Sequence, residues 1–191
     1  MVKSSHILRS AICVVSFIWS MGFSMDAHSQ VIPDSLNPTQ RQALQDLFPE
    51  ADRYEEGVAG ENKYYRAFTQ DRLMGVGVLT FNYGYYDDIE AMVGISAEGV
   101  SKGLMVTRQD DDPKRWRLLL NDRDFFSDMV GVDINRILLT PRYDKSCEIR
   151  CAKMFKALSV YDIDGVSGAT YTANAVVKDL LDAFYVFDQV R

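Results

Sequence analysis

The sequence predicts an α+β protein, a single domain in which an antiparallel sheet packs against helices. Strand-like segments with alternating, aromatic-rich residues occupy the middle of the chain, and segments with apolar residues at helical spacing lie towards its two ends. Strands and helices that are segregated along the chain in this way are typical of α+β folds. Hydrophobic residues make up 47% of the 191 residues, which suits one buried core.

The first 29 residues have the plan of a secretory signal peptide. Lys3 and Arg9 give a basic start, a short apolar run covers residues 11–23, and Ala27-His28-Ser29 is a small-x-small cleavage site. We therefore expect cleavage after Ser29 and a periplasmic domain over residues 30–191. An uncleaved membrane anchor is the alternative, although the run is shorter than the roughly 20 apolar residues that a span needs.

Elements of the predicted mature domain follow in order. Asn37-Pro38 pairs a capping residue with a proline at the first helical position, so a helix begins there, and Pro49 ends it. Alternating segments at residues 63–69 and 73–81 then predict two strands, with Gln70-Asp71 as the turn between them. This pairing is the first hairpin of the expected sheet.

The second half of the chain begins with another predicted strand pair, residues 90–96 and 103–108. We interpret residues 123–130 as a helix and residues 133–139 as a short helix or strand. The clearest helix is predicted over residues 172–190, where apolar side chains recur at helical spacing.

The net charge and the residue types exclude several classes of partner and of catalytic site. The net charge of −6 argues against nucleic acid and against anionic membrane surfaces as partners. Both histidines, His6 and His28, lie in the predicted leader, so the mature chain has no imidazole for haem, for zinc or for a serine triad. We therefore predict no catalytic site of these kinds and no metal site.

Two cysteines, Cys147 and Cys151, remain in the predicted mature chain. An even pair in an exported protein most often forms a disulfide. If the segment is helical, the spacing places both sulfurs on one face, and a bridge would strain the backbone. A redox-active pair is the remaining alternative.

The most informative stretch is Asp164-Gly165-Val166-Ser167-Gly168-Ala169-Thr170, directly before the last predicted helix. Backbone N–H groups at a helix start have no partners within the helix, and the helix dipole adds partial positive charge there. A phosphate is well placed at such a turn, and the two glycines allow a bulky ligand to come close. An ordinary turn with a Ser/Thr cap is the alternative interpretation.

This stretch resembles the covalent flavinylation sequence of bacterial FMN-binding domains, which occur in sodium-pumping NADH:quinone reductases, in Rnf-type ferredoxin:NAD reductases and in the membrane regulator of nitrous oxide reduction. The resemblance implies that Thr170 is bonded to FMN through its phosphate. It also implies that Asp164 and Gly165 belong to the segment that the modifying enzyme recognises. Together with Gly168 and Ala169, the hydroxyl residues Ser167 and Thr172 are the candidate phosphate contacts.

Weaker likenesses extend over about residues 45–185. Residues 47–52, 83–95 and 129–133 are similar to the entry, the Gly-Tyr strand and the Gly-x-Asp element of the family. Many ion-pump members carry a Glu-Thr-Pro-Gly turn that touches the flavin, whereas this chain has residues 110–114, Asp-Asp-Asp-Pro-Lys. The departure points towards the regulator-like or free-standing branch. Candidate ring contacts are Tyr83, Tyr85, Asp112 and Pro113.

We therefore expect an exported flavoprotein that carries FMN covalently and relays electrons between an electron donor and an acceptor. The sequence holds no nucleophile with a neighbouring base and no second redox centre, so we expect an electron-transfer protein or subunit rather than a self-sufficient enzyme. The resemblance implies one further partner, an exported FAD:protein FMN transferase. Membrane contact is expected only through a partner or an uncleaved signal. The alternative is a binding or sensor module of the same fold with loosely bound FMN or none.

Overall fold

A five-stranded antiparallel sheet forms the centre of the protein. We describe it from a computed structural model that describes residues 31–122, 124–138 and 166–191. The strands are β1 (Arg53–Ala59), β2 (Asn62–Thr69), β3 (Arg72–Tyr83), β4 (Asp88–Ser96) and β5 (Ser101–Gln109), and they lie side by side in the order in which they occur in the chain. Every neighbouring pair is antiparallel. With the helices described next, this sheet confirms the predicted α+β fold.

Helices precede and follow the sheet along the chain. They are α1 (Pro38–Leu47), α2 (Pro113–Asn121), α3 (Ile134–Leu138) and α4 (Thr170–Val190), with a 3₁₀ turn at Ser127–Met129. Among the described residues, no helix is long and apolar enough to cross a membrane.

The two faces of the sheet are covered by different helices. Side chains alternate between faces along a strand, so Val93 of β4 packs with α4 while the neighbouring Met92 packs with α1. The long helix α4 is apolar over most of its circumference and lies across β3 and β4. Helix α4 therefore packs against the centre of the sheet.

Glycines allow α1 to lie close to the sheet. A Cβ atom at Gly77 would come within 2.4 Å of Leu44 Cδ1, and one at Gly94 within 3.0 Å of Leu47 Cδ2. The α1 helix begins with a capping box between Asn37 and Gln40, as the Asn-Pro pattern predicted. Its buried leucines then fill the space that the missing side chains leave.

Several predicted elements are confirmed. The four strands lie within β2 to β5, and the Gln70-Asp71 turn has positive φ angles of 49° and 64°, as a two-residue hairpin turn requires. The last helix begins at Thr170, two residues before the predicted start. This shift places the flavinylation motif at the first residue of the helix rather than in the turn before it.

Other predictions were wrong or incomplete. Residues 124–130 contain only the 3₁₀ turn where a helix was predicted, because Asp122 Oδ1 accepts from the amides of Asp124 and Phe125 and forms a turn there. Strand β1 and helix α2 were not predicted. Leu119 is the only buried residue of α2, so its apolar stripe is too weak to reveal a helix. The predicted signal peptide and Cys147 with Cys151 lie outside the described residues.

Candidate functional site

The flavinylation motif ends in the first turn of α4. Gly168 has φ of +81°, and a Cβ atom there would lie 3.3 Å from Leu118 Cδ1 of α2. The Ala173 amide donates to the Ala169 carbonyl at 2.8 Å, which is the first helical hydrogen bond. Ala169 at the N-cap supplies no side-chain cap. The N–H groups of the first three helical residues therefore have no intrahelical acceptor and no cap from Ala169.

Side chains of the motif alternate between solvent and core. Ser167, Gly168 and Thr170 are exposed, whereas Ala169 and Thr172 have no accessible surface. Residues two apart in a helix point in directions about 200° apart, so Thr170 faces outwards because Thr172 faces inwards. Of the two threonines, Thr170 is the one that is exposed to solvent.

The Thr172 hydroxyl is held by Asp111, which lies just after β5. Thr172 Oγ1 donates to Asp111 Oδ2 at 2.5 Å. The other carboxylate oxygen, Oδ1, accepts from the amides of Tyr85 at 2.9 Å and Tyr86 at 2.7 Å, in the turn between β3 and β4. A Cβ atom at Gly84 would lie 2.5 Å from Asp111 Oδ2, so glycine leaves the room that the carboxylate occupies. One buried side chain thus joins three segments.

Asp111 is stabilised in its ionised form despite its burial. Burial by itself raises the pKa of this carboxyl group. The hydrogen bonds from the Thr172 hydroxyl and from the amides of Tyr85, Tyr86 and Asp112 outweigh that effect and hold the pKa below its usual value. The group is therefore a carboxylate near neutral pH and acts only as an acceptor.

Helix α2 begins beside this network with Asp112 and Pro113. Asp112 is the N-cap, and its Oδ1 accepts from the amides of Lys114 at 2.8 Å and Arg115 at 2.9 Å. Pro113 occupies the first helical position, where its missing N–H costs nothing. The predicted ring contacts Asp112 and Pro113 are thus a helix start, which a Thr-Pro pair would also form.

Tyrosines cluster next to the two helix starts. The Arg115 guanidinium lies 3.3 Å from the centroid of the Tyr85 ring, which also meets the Tyr171 ring edge-on at 5.8 Å and the Tyr86 ring at 4.5 Å. Tyr83 is 52% exposed, and its hydroxyl donates to the Tyr86 carbonyl. Arg115 therefore covers one face of the Tyr85 ring, while Tyr83 keeps a large open surface.

The residues of this site lie in a part of the sequence that matches a known protein family. A model of the FMN-binding domain family matches residues 84–184, which is more than half of the chain. The chain belongs to the FMN-binding domain family. The match runs from the turn whose amides donate to Asp111 to Phe184 in the second half of α4, so it includes both helix starts described above. No curated protein matches the chain.

Family membership confirms the resemblance and supports FMN as the cofactor. The structure brings together the motif residues of α4, Asp112, Pro113 and Tyr85, while Asp164 and Gly165 lie outside the described residues. The individual contacts to FMN stay predictions. For Thr172, whose hydroxyl donates to Asp111, the backbone N–H is the group that can meet a phosphate.

Sequence reasoning missed Asp111, Arg115 and Tyr171. Asp111 lies in a run of three acidic residues, which is typical of an exposed segment, and its partner Thr172 is 61 positions away. The Asp-Pro helix start was the one local signal that marked this region as structured.

A separate cavity of about 370 Å³ contains none of the predicted site residues. It lies beside the turn between β1 and β2, and its lining includes Phe81, Asn82, Lys178, Asp182 and Tyr185. No cluster of potential metal ligands occurs among the described residues, in this cavity or elsewhere.

A buried acid lies below this cavity, in the middle of α4. Asp179 has no accessible surface, and its Oδ1 accepts from Asn82 Nδ2 at 2.7 Å. Burial raises the pKa of Asp179 well above its usual value and outweighs the opposing hydrogen bond from Asn82. This environment favours the neutral carboxylic acid.

Proposed function

We propose that this chain is an exported flavoprotein that carries FMN through a phosphoester on Thr170 and relays electrons between two redox partners. The observation that carries the proposal is the exposed residue Thr170 at a helix start whose N-cap residue adds no side-chain cap, in a chain of the FMN-binding domain family. Thr172, the other threonine of the turn, has a buried and engaged hydroxyl.

The first turn of α4 fits a phosphate. The N–H groups of Thr170, Tyr171 and Thr172 have no acceptor within the helix, and the helix dipole favours an anion there. Exposed Ser167 adds a hydroxyl donor, and Gly168 leaves space because it carries no side chain. These residues would hold the phosphate, while the tyrosines next to the turn are the candidate contacts for the flavin ring.

Attachment requires a transfer from FAD. The Thr170 hydroxyl oxygen attacks the phosphorus of the FMN half of FAD, the pyrophosphate P–O bond breaks, AMP leaves and the hydroxyl proton passes to solvent. We assign this step to an exported, magnesium-using FAD:protein FMN transferase, which needs no metal ligand from this chain. Small side chains at Gly168 and Ala169 allow the segment to enter another active site.

Bound FMN supplies the transfer of one or two electrons, and the protein supplies binding and orientation. A covalent bond suits an exported carrier, because a dissociated flavin would be lost from the cell. The signal-like first 29 residues support export. The donor and the acceptor are partners of unidentified nature.

Intact mass after co-expression with the transferase tests the proposal. We expect the processed protein to gain the mass of one FMN ester and to fluoresce on a denaturing gel. Thr170→Val should abolish both signals, and Thr170→Ser should retain them because the hydroxyl remains. Thr39→Val is a matched control, since Thr39 is an exposed threonine in the first turn of α1.

Two results would contradict the covalent assignment. Wild-type protein with only its polypeptide mass would remove the ester, and an adduct that survives in Thr170→Val would place it elsewhere. Flavin that is released on acid precipitation would favour the alternative function, a module with loosely bound FMN.

A further inference from the structure

The hydrogen bond between Asp111 and Thr172 can control the orientation of Thr170, the residue two positions before Thr172. It ties the first turn of α4 to the turn between β3 and β4 and to the start of α2. We refer to this bond, with its acceptor Asp111 and its donor Thr172, as the latch. Its two ends are 61 residues apart in the chain, so it is a tertiary and not a local contact.

We propose that the latch is a positioning device for the flavin: it fixes the rotation of the first turn of α4, so that a cofactor esterified to Thr170 is held in one orientation. This inference rests on the function proposed above. It assigns a role to Asp111 and Thr172 that requires no contact between either side chain and the cofactor.

The first argument is the position of the bond. The first turn of a helix is the part that frays most readily, and a side-chain cap normally restrains it. Ala169 supplies no such cap to α4. The latch begins at the third residue of the helix, so it restrains the turn that lacks a side-chain cap from Ala169.

The second argument is the quality of the bond. Both residues are buried, with 3% exposure for Asp111 and none for Thr172, and the acceptor is charged. Hydrogen bonds to a buried charged group are among the strong ones in proteins. The amides of Tyr85 and Tyr86 hold the acceptor from the other side, so the carboxylate cannot follow Thr172 if the helix rotates.

The third argument is the geometry of the helix. Because Thr170 and Thr172 point about 200° apart, any rotation that draws Thr172 out of the core turns Thr170 towards it. Breaking the latch therefore changes the direction in which an ester on Thr170 leaves the surface. A purely structural bond elsewhere in the sheet has no such effect.

Thr172→Val breaks the latch and preserves the shape of the side chain. Thr172→Ser keeps the donor, and Asp111→Ser replaces the charged carboxylate acceptor with a shorter, neutral hydroxyl. The matched control is Thr107→Val, because Thr107 Oγ1 donates to Glu90 Oε1 at 2.6 Å on the α1 side of the sheet. It removes a threonine-to-carboxylate bond without touching α4.

Two measurements on these variants test the latch. Amide hydrogen exchange on protein made without transferase reports the first turn of α4, independently of any flavin. Visible circular dichroism and fluorescence anisotropy decay on flavinylated protein report the orientation and local freedom of the ring. Intact mass on the same samples shows whether wild type carries FMN.

In both Thr172→Val and Asp111→Ser, we expect exchange in residues 170–176 to accelerate by roughly tenfold or more. The visible dichroism should fall towards that of free FMN, and a fast depolarising component should appear. Thr172→Ser should restore both signals, and Thr107→Val should match wild type.

Unchanged exchange, or unchanged flavin dichroism in a variant with faster exchange, would overturn the latch. If Thr172→Val does not fold, the same comparison between Asp111→Ser and Thr172→Ser decides the matter. A wild-type protein without FMN would remove the function proposed above, whereas the exchange experiment would still report whether the latch exists.

Discussion

Gly84→Ala provides a test of the site from the side of the sheet, without changing Asp111 or Thr172. The added Cβ atom would lie 2.5 Å from Asp111 Oδ2 and 2.8 Å from its Cγ. Gly84 does not need a positive φ, so the substitution acts through space and not through backbone strain. The perturbation therefore falls on the carboxylate that joins three segments.

The expected magnitude follows from these distances. Ordinary contact begins near 3.4 Å, so the carboxylate must move by roughly 0.9 Å, and it cannot do so while Thr172 and the amides of Tyr85 and Tyr86 all remain bonded. Losing one or two hydrogen bonds to a charged group costs about 2–4 kcal/mol of unfolding free energy. For a chain of this size, the Tm should fall by about 5–15 °C.

Urea denaturation of a double-mutant cycle with Thr172→Val identifies the cause. If alanine acts by displacing Asp111, Thr172→Val should cost much less in the Gly84→Ala background than in wild type. Gly60→Ala serves as the control background, because alanine there is destabilising through backbone strain at a φ of +62° while its Cβ atom meets nothing within 4 Å. In that background, Thr172→Val should keep its full cost.

The reasoning fails if Gly84→Ala lowers the unfolding free energy by less than about 1 kcal/mol, a typical effect of an arbitrary substitution. It fails equally if the two substitutions are additive. Either result would mean that the carboxylate relaxes without losing its partners.

Two further predictions concern the faces of the sheet. Leu44→Ala should lower the unfolding free energy by about 3–5 kcal/mol, because Leu44 is fully buried and the glycine beneath it has no side chain to fill the cavity; the exposed Leu120→Ala is the control, and urea denaturation measures both. Asp179→Asn should flatten the pH dependence of stability. Burial raises the pKa of Asp179, so its favourable contribution to the free energy of unfolding is complete below the unfolded pKa of about 3.9. In wild type this contribution falls above about pH 4 and is lost as pH rises through the folded pKa. An unchanged pH profile of stability in the variant would contradict the assignment.

The parts of the site that sequence reasoning found are those with local signals. A helix start is marked by small and hydroxyl residues before an apolar run, and the motif from Asp164 to Thr170 has this form. The hairpin at Gln70-Asp71 and the start of α1 were found for the same reason. In each case, the residues that determine the structure lie within a few positions of one another.

The latch lacks such a signal. In the sequence, Thr172 is one of two threonines at a helix start, and Asp111 is one of three consecutive acids. What distinguishes Asp111 is the sheet. Strand β5 ends beside the turn between β3 and β4, so the second acid after the strand, Asp111, accepts from two amides of that turn, and the third, Asp112, begins α2. Only the register of the strands selects Asp111 from the run.

The departure from the family's Glu-Thr-Pro-Gly turn has a related physical explanation. An aspartate before a proline caps a helix as a threonine does, because either side chain offers an oxygen to the second and third amides of the helix. The preceding acid then stands where its carboxylate can reach α4. In this chain the turn therefore has two structural roles, the cap from Asp112 and the carboxylate of Asp111. The letters of this turn differ from Glu-Thr-Pro-Gly, and in this chain its hydrogen bonds cap α2 and join Asp111 to α4.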